Sequence, residues 1–207
     1  MNRPLRSSKK LPNLINSFRI GLNKDKYDSI NIYFQDESRF GLMTHIGRYI
    51  TAKGVKPIVK YKHAFKSTYV YGSFSPLTGD SFMWEINGLS TQIFEMYLKE
   101  FSKQNPRELK LVVIDNAGFH STKNIDIPEN IKLINIPPYT PELNPCERVW
   151  GYFKSFFKNK VFDDIEDVKD WIEEFVNNDL SIERIKSLTR SSTYNNCFVA
   201  QLILQLV

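Results

Sequence analysis

The chain has 207 residues, of which 42% are hydrophobic and 14% aromatic, enough to bury one substantial core and marginal for two. Cys146 and Cys197 fit no CxxC spacing, which argues against a disulfide framework, and the three histidines are too scattered for a zinc motif. No apolar run reaches the roughly 20 residues of a membrane helix. The net charge of +5 favours a polyanionic partner, and we expect one cytoplasmic domain without a membrane segment.

Charge is unevenly distributed along the chain. Residues 1–26 are rich in Arg and Lys, and the stretch from Arg48 to Lys66 contains five lysines and no acid. Acidic residues instead crowd the segment from Asp163 to Glu174. This pattern predicts a basic working face and an acidic back. Residues 1–28 are expected to form a basic arm or linker with a short helix at Leu14–Leu22.

Hydrophobic patterning predicts strands first and helices later. The predicted elements are a buried strand at Asn31–Ser38, its hairpin partner at Phe40–Ile50, strands at 67–76 and Ser81–Ile86, a helix at Thr91–Gln104, strands at Leu109–Asp115 and Ile131–Pro137, and helices in the remainder. Three antiparallel strands followed by two parallel ones predict an α/β fold. We therefore expect a mixed five-stranded sheet flanked by helices.

A helix is predicted after Asn144, which can cap it, with Pro145 at its first position. Its predicted buried stripe consists of apolar residues at helical spacing: Cys146, Val149, Trp150, Phe153, Phe156 and Phe157. Glu147 lies just off that stripe, on the same flank as Gly151, Lys154 and Lys158. One flank therefore combines an acid, a glycine without a side chain and two cations. On such a flank the cations can contact DNA phosphates while the acid contacts a metal.

Three carboxylates stand at the boundaries of the predicted strands and helices. Asp36 and Asp115 stand at the ends of apolar strands, and Glu147 begins the later helix. Magnesium prefers oxygen ligands and needs only a few carboxylates, and two such ions can cleave a phosphodiester without a protein nucleophile. The three acids are therefore the candidate metal ligands.

Each acid has a simpler interpretation. Asp36 can end a strand or cap a turn, with Glu37 as the functional neighbour, and Asp115 is also typical of a strand-end turn. Glu147 can be the returning half of a capping box with Asn144. The C-terminal stripe Ile165, Val168, Trp171, Ile172, Phe175 and Val176 is interpreted as structural cover.

Four motifs carry a family resemblance. DESRFGL, GRYITAKGVKP, VIDNAGFH and PPYTPELNPCERVW, in this order, resemble the catalytic domain of DDE transposases, in the branch that joins mariner elements with related bacterial insertion sequences. The resemblance covers roughly Ser29–Lys160. It implies an RNase H-like catalytic domain at 29–160, with the helices of 161–207 packing on the same domain.

The resemblance also implies roles for individual residues. Asp36, Asp115 and Glu147 fall on the catalytic, metal-binding triad, and Asn116 and His120 fall on a DNAxxH motif, as possible accessory residues beside Glu37. The interval between Asp115 and Glu147 is slightly short for this branch, so Glu142 is the alternative third acid. Candidate DNA-binding residues are the cations Lys53, Lys56, Lys60, Arg148, Lys154 and Lys158.

The activity implied by the resemblance is a magnesium-dependent endonuclease that uses two ions, with manganese as a possible substitute. It would cleave DNA strands at transposon ends and transfer them into target DNA, as a homodimer. Family members carry helix-turn-helix domains before the catalytic part, and the residues before Tyr33 leave no room for them. A separate helix-turn-helix chain is therefore an expected partner, if Met1 is the true start.

Two other functions stay open from the sequence. The chain can be an inactive relic of a transposase that only binds DNA or another transposase chain. It can also be another RNase H-like nuclease, such as a junction resolvase or an RNA-cleaving enzyme. Magnesium-dependent strand joining, cleavage of an RNA/DNA hybrid, or binding without cleavage distinguishes the three.

Overall fold

The computed structural model describes residues 21, 23–115, 125–135 and 144–190. Most of the predicted basic arm of residues 1–28, with most of the predicted helix Leu14–Leu22, lies outside these residues, as do Asn116, His120 and Glu142. In chain order the elements are β1 (Ser29–Gly41), β2 (Ser67–Phe74), β3 (Ser81–Ile86), α1 (Thr91–Lys103), β4 (Glu108–Ile114), β5 (Ile131–Asn135), α2 (Cys146–Phe157), α3 (Ile165–Asp179) and α4 (Ile182–Arg190).

Strand β1 lies at the centre of a five-stranded sheet with the order β3-β2-β1-β4-β5. It pairs antiparallel with β2, which pairs antiparallel with β3, and it pairs parallel with β4, which pairs parallel with β5. All of β4 is buried, as expected of a parallel strand covered on both faces. The predicted mixed sheet, three antiparallel strands followed by two parallel ones, is confirmed.

The predicted hairpin partner Phe40–Ile50 is wrong. Strand β1 continues through Phe40 to Gly41, and its antiparallel partner is β2, with Gly41 opposite Ser67. Alternation carries on through Arg39, which is exposed, and Phe40, which is 1% exposed, so the same strand continues. Residues 42–66 form a loop without regular structure.

Two hydrophobic cores cover the two faces of the sheet. Even-numbered residues of β1, such as Ile32 and Phe34, belong to a core with helices α2, α3 and α4. The odd-numbered Tyr33 belongs to a second core with Tyr71 and helix α1. Side-chain alternation along β1 therefore decides which layer each residue faces.

Helices α2 and α3 follow their predicted stripes with one exception. Phe156 is 46% exposed, because it lies at the margin of the α2–α3 contact, where its ring touches those of Tyr152 and Phe175. Helix α3 begins with a capping box between Asp164 and Asp167, and its acids face outward. Among the described helices, none has the length and apolar character to cross a membrane.

Candidate active site

Asp36 and Asp115 lie side by side at one end of the sheet. Phe34 of β1 is paired with Val113 of β4, and each aspartate stands two residues further along its own chain. Side chains alternate along a strand, and paired residues of parallel strands share a face. Both aspartates therefore belong to the face that is covered by helix α2.

Hydrogen bonds dock the start of helix α2 on the end of β1. The Asn144 side-chain amide donates to the Gln35 carbonyl at 3.3 Å, and the Cys146 thiol donates to the Phe34 carbonyl at 3.1 Å. Asn144 Oδ1 also accepts the Cys146 backbone N–H at 3.1 Å. The helix begins at Cys146 with Pro145 as its N-cap, one residue later than predicted. This docking brings Glu147, in the first turn, beside the middle of β1 and close to Asp36.

The electrostatics of Asp36 show that the other two acids lie close enough to act on its charge. Burial is the first cause that raises the pKa of Asp36, from 3.8 to about 7, and the charge of Glu37 is the second. The charges of Asp115 and Glu147 raise it further. Asp36 is partly accessible, while Asp115 and Glu147 are exposed to solvent. Asp115 and Glu147 therefore both lie in the neighbourhood of Asp36.

A lysine approaches the same place from helix α2. Lys154, two turns after Glu147, has its ammonium 6.0 Å from the centre of the Phe40 ring. Burial lowers the pKa of Lys154, and the charge of Asp36 opposes that shift. Between the two, at Gly151, an added Cβ would meet nothing within 4 Å. The helix flank therefore has an acid and a cation separated by open space.

The three acids are coupled, but they do not form a closed ligand cage. Within residues 21, 23–115, 125–135 and 144–190, no three His, Cys, Asp or Glu side chains are gathered closely enough to hold a metal ion. The chemistry of the set nevertheless fits magnesium, because all three donors are carboxylates. The residues present match the ion in donor type, and they need to move closer to share it.

Glu37 lies on the other face of the sheet. Its carboxylate accepts a hydrogen bond from the Gln35 side chain at 2.7 Å. Burial and then the charge of Glu37 raise the pKa of Tyr71, which belongs to the core beneath helix α1. Alternation along β1 thus separates the two neighbouring carboxylates, and the accessory role of Glu37 stays a prediction.

The remaining predicted site residues are spread over the surface or lie outside the described residues. Asn116, His120 and the alternative acid Glu142 are not among those that the structure describes. The six candidate DNA-binding cations are all exposed: Lys53, Lys56, Lys60, Arg148, Lys154 and Lys158. Three of them belong to the loop of residues 42–66, and three belong to helix α2 or its end.

Gly72 supports the site in a way that the sequence analysis missed. It pairs with Asp36 across the β1–β2 ladder, and a Cβ there would lie 2.8 Å from Cη2 of Trp150. The absent side chain lets the indole of Trp150 approach the sheet, which holds helix α2 near Asp36. A glycine inside a strand indicates such a close approach, so STYVYGSF carried the signal.

Comparisons with known proteins agree with this arrangement. A model of the DDE superfamily endonuclease family matches residues 31–169. An uncharacterised protein y4pE/y4sA of Sinorhizobium fredii (strain NBRC 101917 / NGR234) is 29% identical over 102 residues, which are 48% of this chain and 76% of that protein.

Solved structures of the Mos1 mariner transposase share the fold. Its catalytic domain is 13% identical with a TM-score of 0.59, covering 99% of this chain and 96% of that chain. The Mos1 paired end complex with Mn is 13% identical with a TM-score of 0.64, and the match covers 100% of this chain and 64% of that one. This chain thus spans less than two thirds of that transposase chain.

At such low identity these matches establish the fold alone, and the predicted RNase H-like fold is confirmed. The family model covers more than half of the chain and includes Asp36, Asp115 and Glu147. The chain belongs to the DDE superfamily endonuclease family.

Proposed function

We propose that this protein is the catalytic unit of a DDE transposase, which cleaves DNA strands at transposon ends and transfers them into target DNA. Asp36, Asp115 and Glu147 are the proposed ligands of two magnesium ions, for which manganese can substitute. The family match and the fold shared with the Mos1 catalytic domain support a nuclease of this type. Mos1 itself has been solved in paired end complexes with Mg and with Mn, and in a strand transfer complex.

The observation that carries the proposal is the coupling of three acids distant in sequence. Burial first, and then the charges of Glu37, Asp115 and Glu147, raise the pKa of Asp36. A fold without a use for this arrangement gains nothing from placing like charges together in a poorly solvated setting, since it disfavours their ionised forms. A divalent cation relieves that repulsion.

Asp36, Asp115 and Glu147 would hold two ions, which would supply the activation of a water or a sugar 3′ hydroxyl and the stabilisation of charge on the leaving oxygen. Asp36 contributes a carboxylate that is about half protonated near pH 7, so it has to release a proton before it ligates. Glu147 approaches from the first turn of helix α2, where the positive end of the helix dipole favours a carboxylate.

The DNA backbone is proposed to run along the flank of helix α2. The open space at Gly151 leaves room for a strand beside Lys154, and Arg148 and Lys158 are exposed on the same helix or at its end. Lysines of the 42–66 loop extend this basic surface: Lys53, Lys56 and Lys60. Phosphate contacts of this kind position DNA without reading its sequence.

Further roles complete the proposal. Asn116 and His120 are proposed accessory residues, and a homodimer would bring two catalytic units to two transposon ends. Recognition of the terminal sequence is assigned to a helix-turn-helix chain or domain outside these residues. The protein is placed in the cytoplasm.

The test is a set of three substrates incubated with the purified chain and magnesium. They are a duplex with the element's terminal repeats, the same duplex already ending in a free 3′ hydroxyl together with a supercoiled plasmid, and an RNA/DNA hybrid. We expect nicking of the first, joining of the second to the plasmid, and no cleavage of the hybrid. EDTA should abolish both reactions, and manganese should restore them.

The other outcomes identify the alternatives. Cleavage of the hybrid without joining would indicate a different RNase H-like nuclease. Binding of the duplex without nicking, with either metal, would indicate an inactive relic. Glu147→Gln is the matched control, because it keeps the shape of the side chain and removes the charge that a cation needs.

A further inference from the structure

The loop of residues 42–66 is attached to the protein at its base. The Leu42 N–H donates to the Lys66 carbonyl, and the Thr44 N–H donates to the Lys62 carbonyl. These backbone hydrogen bonds join the first and last segments of the loop at its base. Beyond the base, large apolar side chains are exposed, with Ile50 and Ile58 each fully accessible. What holds the base therefore sets the direction in which the rest of the loop projects.

Asn159 holds that base to the end of helix α2. Its backbone N–H donates to the His45 carbonyl at 2.9 Å, and its side-chain oxygen accepts the Gly47 N–H at 2.6 Å. Asn159 thus makes two hydrogen bonds to the first segment of the loop, one on each side of Ile46. Lys62 adds a second anchor on the returning strand, where its ammonium donates to the carbonyls of Phe162 at 2.9 Å and of Asp163.

The geometry at both ends of this contact is specialised. Asn159 has a φ of 65°, the left-handed conformation that asparagine and glycine tolerate just past a helix. Gly47 lacks a side chain, and a Cβ there would lie 3.1 Å from Nδ2 of Asn159 and 3.4 Å from Cβ of Lys158. The glycine lets the amide reach the backbone, and the left-handed turn aims the amide at it.

Helix α2 connects this contact to the candidate active site. Glu147 lies in its first turn and Asn159 follows its last residue by two positions. Twelve helical residues span about 18 Å at 1.5 Å per residue, which is about five base pairs of duplex at 3.4 Å each. The helix is therefore a rigid spacer between the acids and the base of the loop.

We infer that Asn159 is a positioning residue, whose side-chain amide sets the direction of the 42–66 loop so that Lys53, Lys56 and Lys60 meet the same DNA that reaches Glu147. This inference rests on the proposed function, because it assigns the loop to the substrate of that site. Asn159 touches neither the acids nor, in this assignment, the DNA. It acts through Gly47.

The experiment compares Asn159→Gly with Asn159→Asp. Glycine keeps the left-handed turn and removes the acceptor, while aspartate keeps an acceptor oxygen for Gly47. We expect the Gly47 amide to exchange about three- to tenfold faster in Asn159→Gly, as loss of one hydrogen bond implies, with an unchanged melting temperature. Affinity for a labelled duplex in EDTA should fall by a similar factor, about three- to tenfold. Asn159→Asp should resemble the wild type in exchange.

A split between binding and chemistry identifies positioning. At saturating DNA the single-turnover cleavage rate of Asn159→Gly should stay within about twofold of the wild type, because the acids are untouched. Equal DNA affinity of Asn159→Gly and wild type would overturn the inference, as would a Gly47 amide that is unprotected in the wild type. If the wild type binds DNA but does not cleave it, the proposed nuclease fails, while exchange and affinity still decide the role of Asn159.

Discussion

Both ends of the β1–β4 pair are polar, but one end brings opposite charges together and the other brings like charges together. At the amino end, Glu108 is 7% exposed and Lys110 is fully buried, with their charged atoms 3.8 Å apart. The Tyr33 hydroxyl donates to Glu108 at 2.9 Å, and Lys110 donates to the Asn105 carbonyl at 3.0 Å. At the carboxyl end, the like charges of Glu37, Asp115 and Glu147 all act on Asp36, with Lys154 as the nearby cation.

This contrast separates a structural polar cluster from a functional one. At the amino end, opposite charges and hydrogen bonds offset part of the cost of burial, which still raises the pKa of Glu108 and lowers the pKa of Lys110. At the carboxyl end, the repulsion is left for a ligand to remove. Natural folds depart from local consistency mainly where they bind or react, so the like charges near Asp36 support the proposed site.

The largest expected effect concerns the carboxyl end. Asp115→Asn should lower metal-dependent DNA cleavage by at least about 10³-fold, because several kcal/mol of transition-state stabilisation depend on the bound ions. Nicking of a labelled duplex under single-turnover conditions measures it. Glu37→Gln is the matched control on the opposite face and should stay within about threefold of the wild type. A large loss in the control would give Glu37 a role in catalysis.

The next effect concerns the amino end. Lys110→Met should destabilise the protein by about 3 kcal/mol, because it leaves Glu108 buried without its counter-charge. Urea denaturation measures the free energy of unfolding. The double variant Glu108→Gln with Lys110→Met should recover most of the loss, since it removes both charges. No recovery would mean that the pair itself, and not the unpaired carboxylate, determines the stability of this end.

Asp36→Asn should stabilise the metal-free protein. Since the folded pKa of Asp36 is about 7 and its ordinary value is 3.8, the folded chain keeps a proton that the unfolded chain has released between these values. Stability is therefore lost as the pH rises through this window, and the whole penalty is present above pH 7. The variant should gain about 4 kcal/mol at pH 8 and about 2 kcal/mol at pH 5, measured by urea denaturation in EDTA. An equal gain at both pH values would contradict the proposed origin.

The smallest expected effect concerns Lys154. Lys154→Gln should weaken DNA binding uniformly across sequences and reduce the slope of log affinity against log salt by about one, as loss of one phosphate contact predicts. Fluorescence anisotropy at several salt concentrations measures this slope. An unchanged slope would assign Lys154 to the balance of charge around Asp36, without a phosphate contact.

The sheet was predictable from the sequence because its signals are local. Apolar runs that end in Asp36 and Asp115 predicted two strands, and their parallel pairing puts the ends together. Alternation could not show that Phe40–Ile50 is not a separate hairpin strand, since FGLMTHIGRYI alternates well enough for a strand. Only the burial of Phe40 within β1 itself, and the pairing of β1 with β2, exclude the hairpin.

The position of the third acid, Glu147, relative to Asp36 could not be predicted from local patterns. Helical periodicity predicted the flank of Glu147, but not its approach to Asp36. That approach depends on the contacts of Asn144 and Cys146 with the carbonyls of Gln35 and Phe34, which join segments more than a hundred residues apart. Side chains that bind a distant backbone carry no periodic signal. Glu147 was a candidate because it is an acid at the start of a predicted helix, and the family resemblance assigned it to the triad.

The central position of β1 has a consequence for how the protein is made. One of its neighbours, β4, begins about 67 residues after β1 ends, and helix α2 arrives later still. Contacts of such long sequence separation form late, because loop closure has to precede them. A ribosome-bound or half-folded chain therefore has its acids apart. The three acids come together only after helix α2 has been synthesised and has docked on β1.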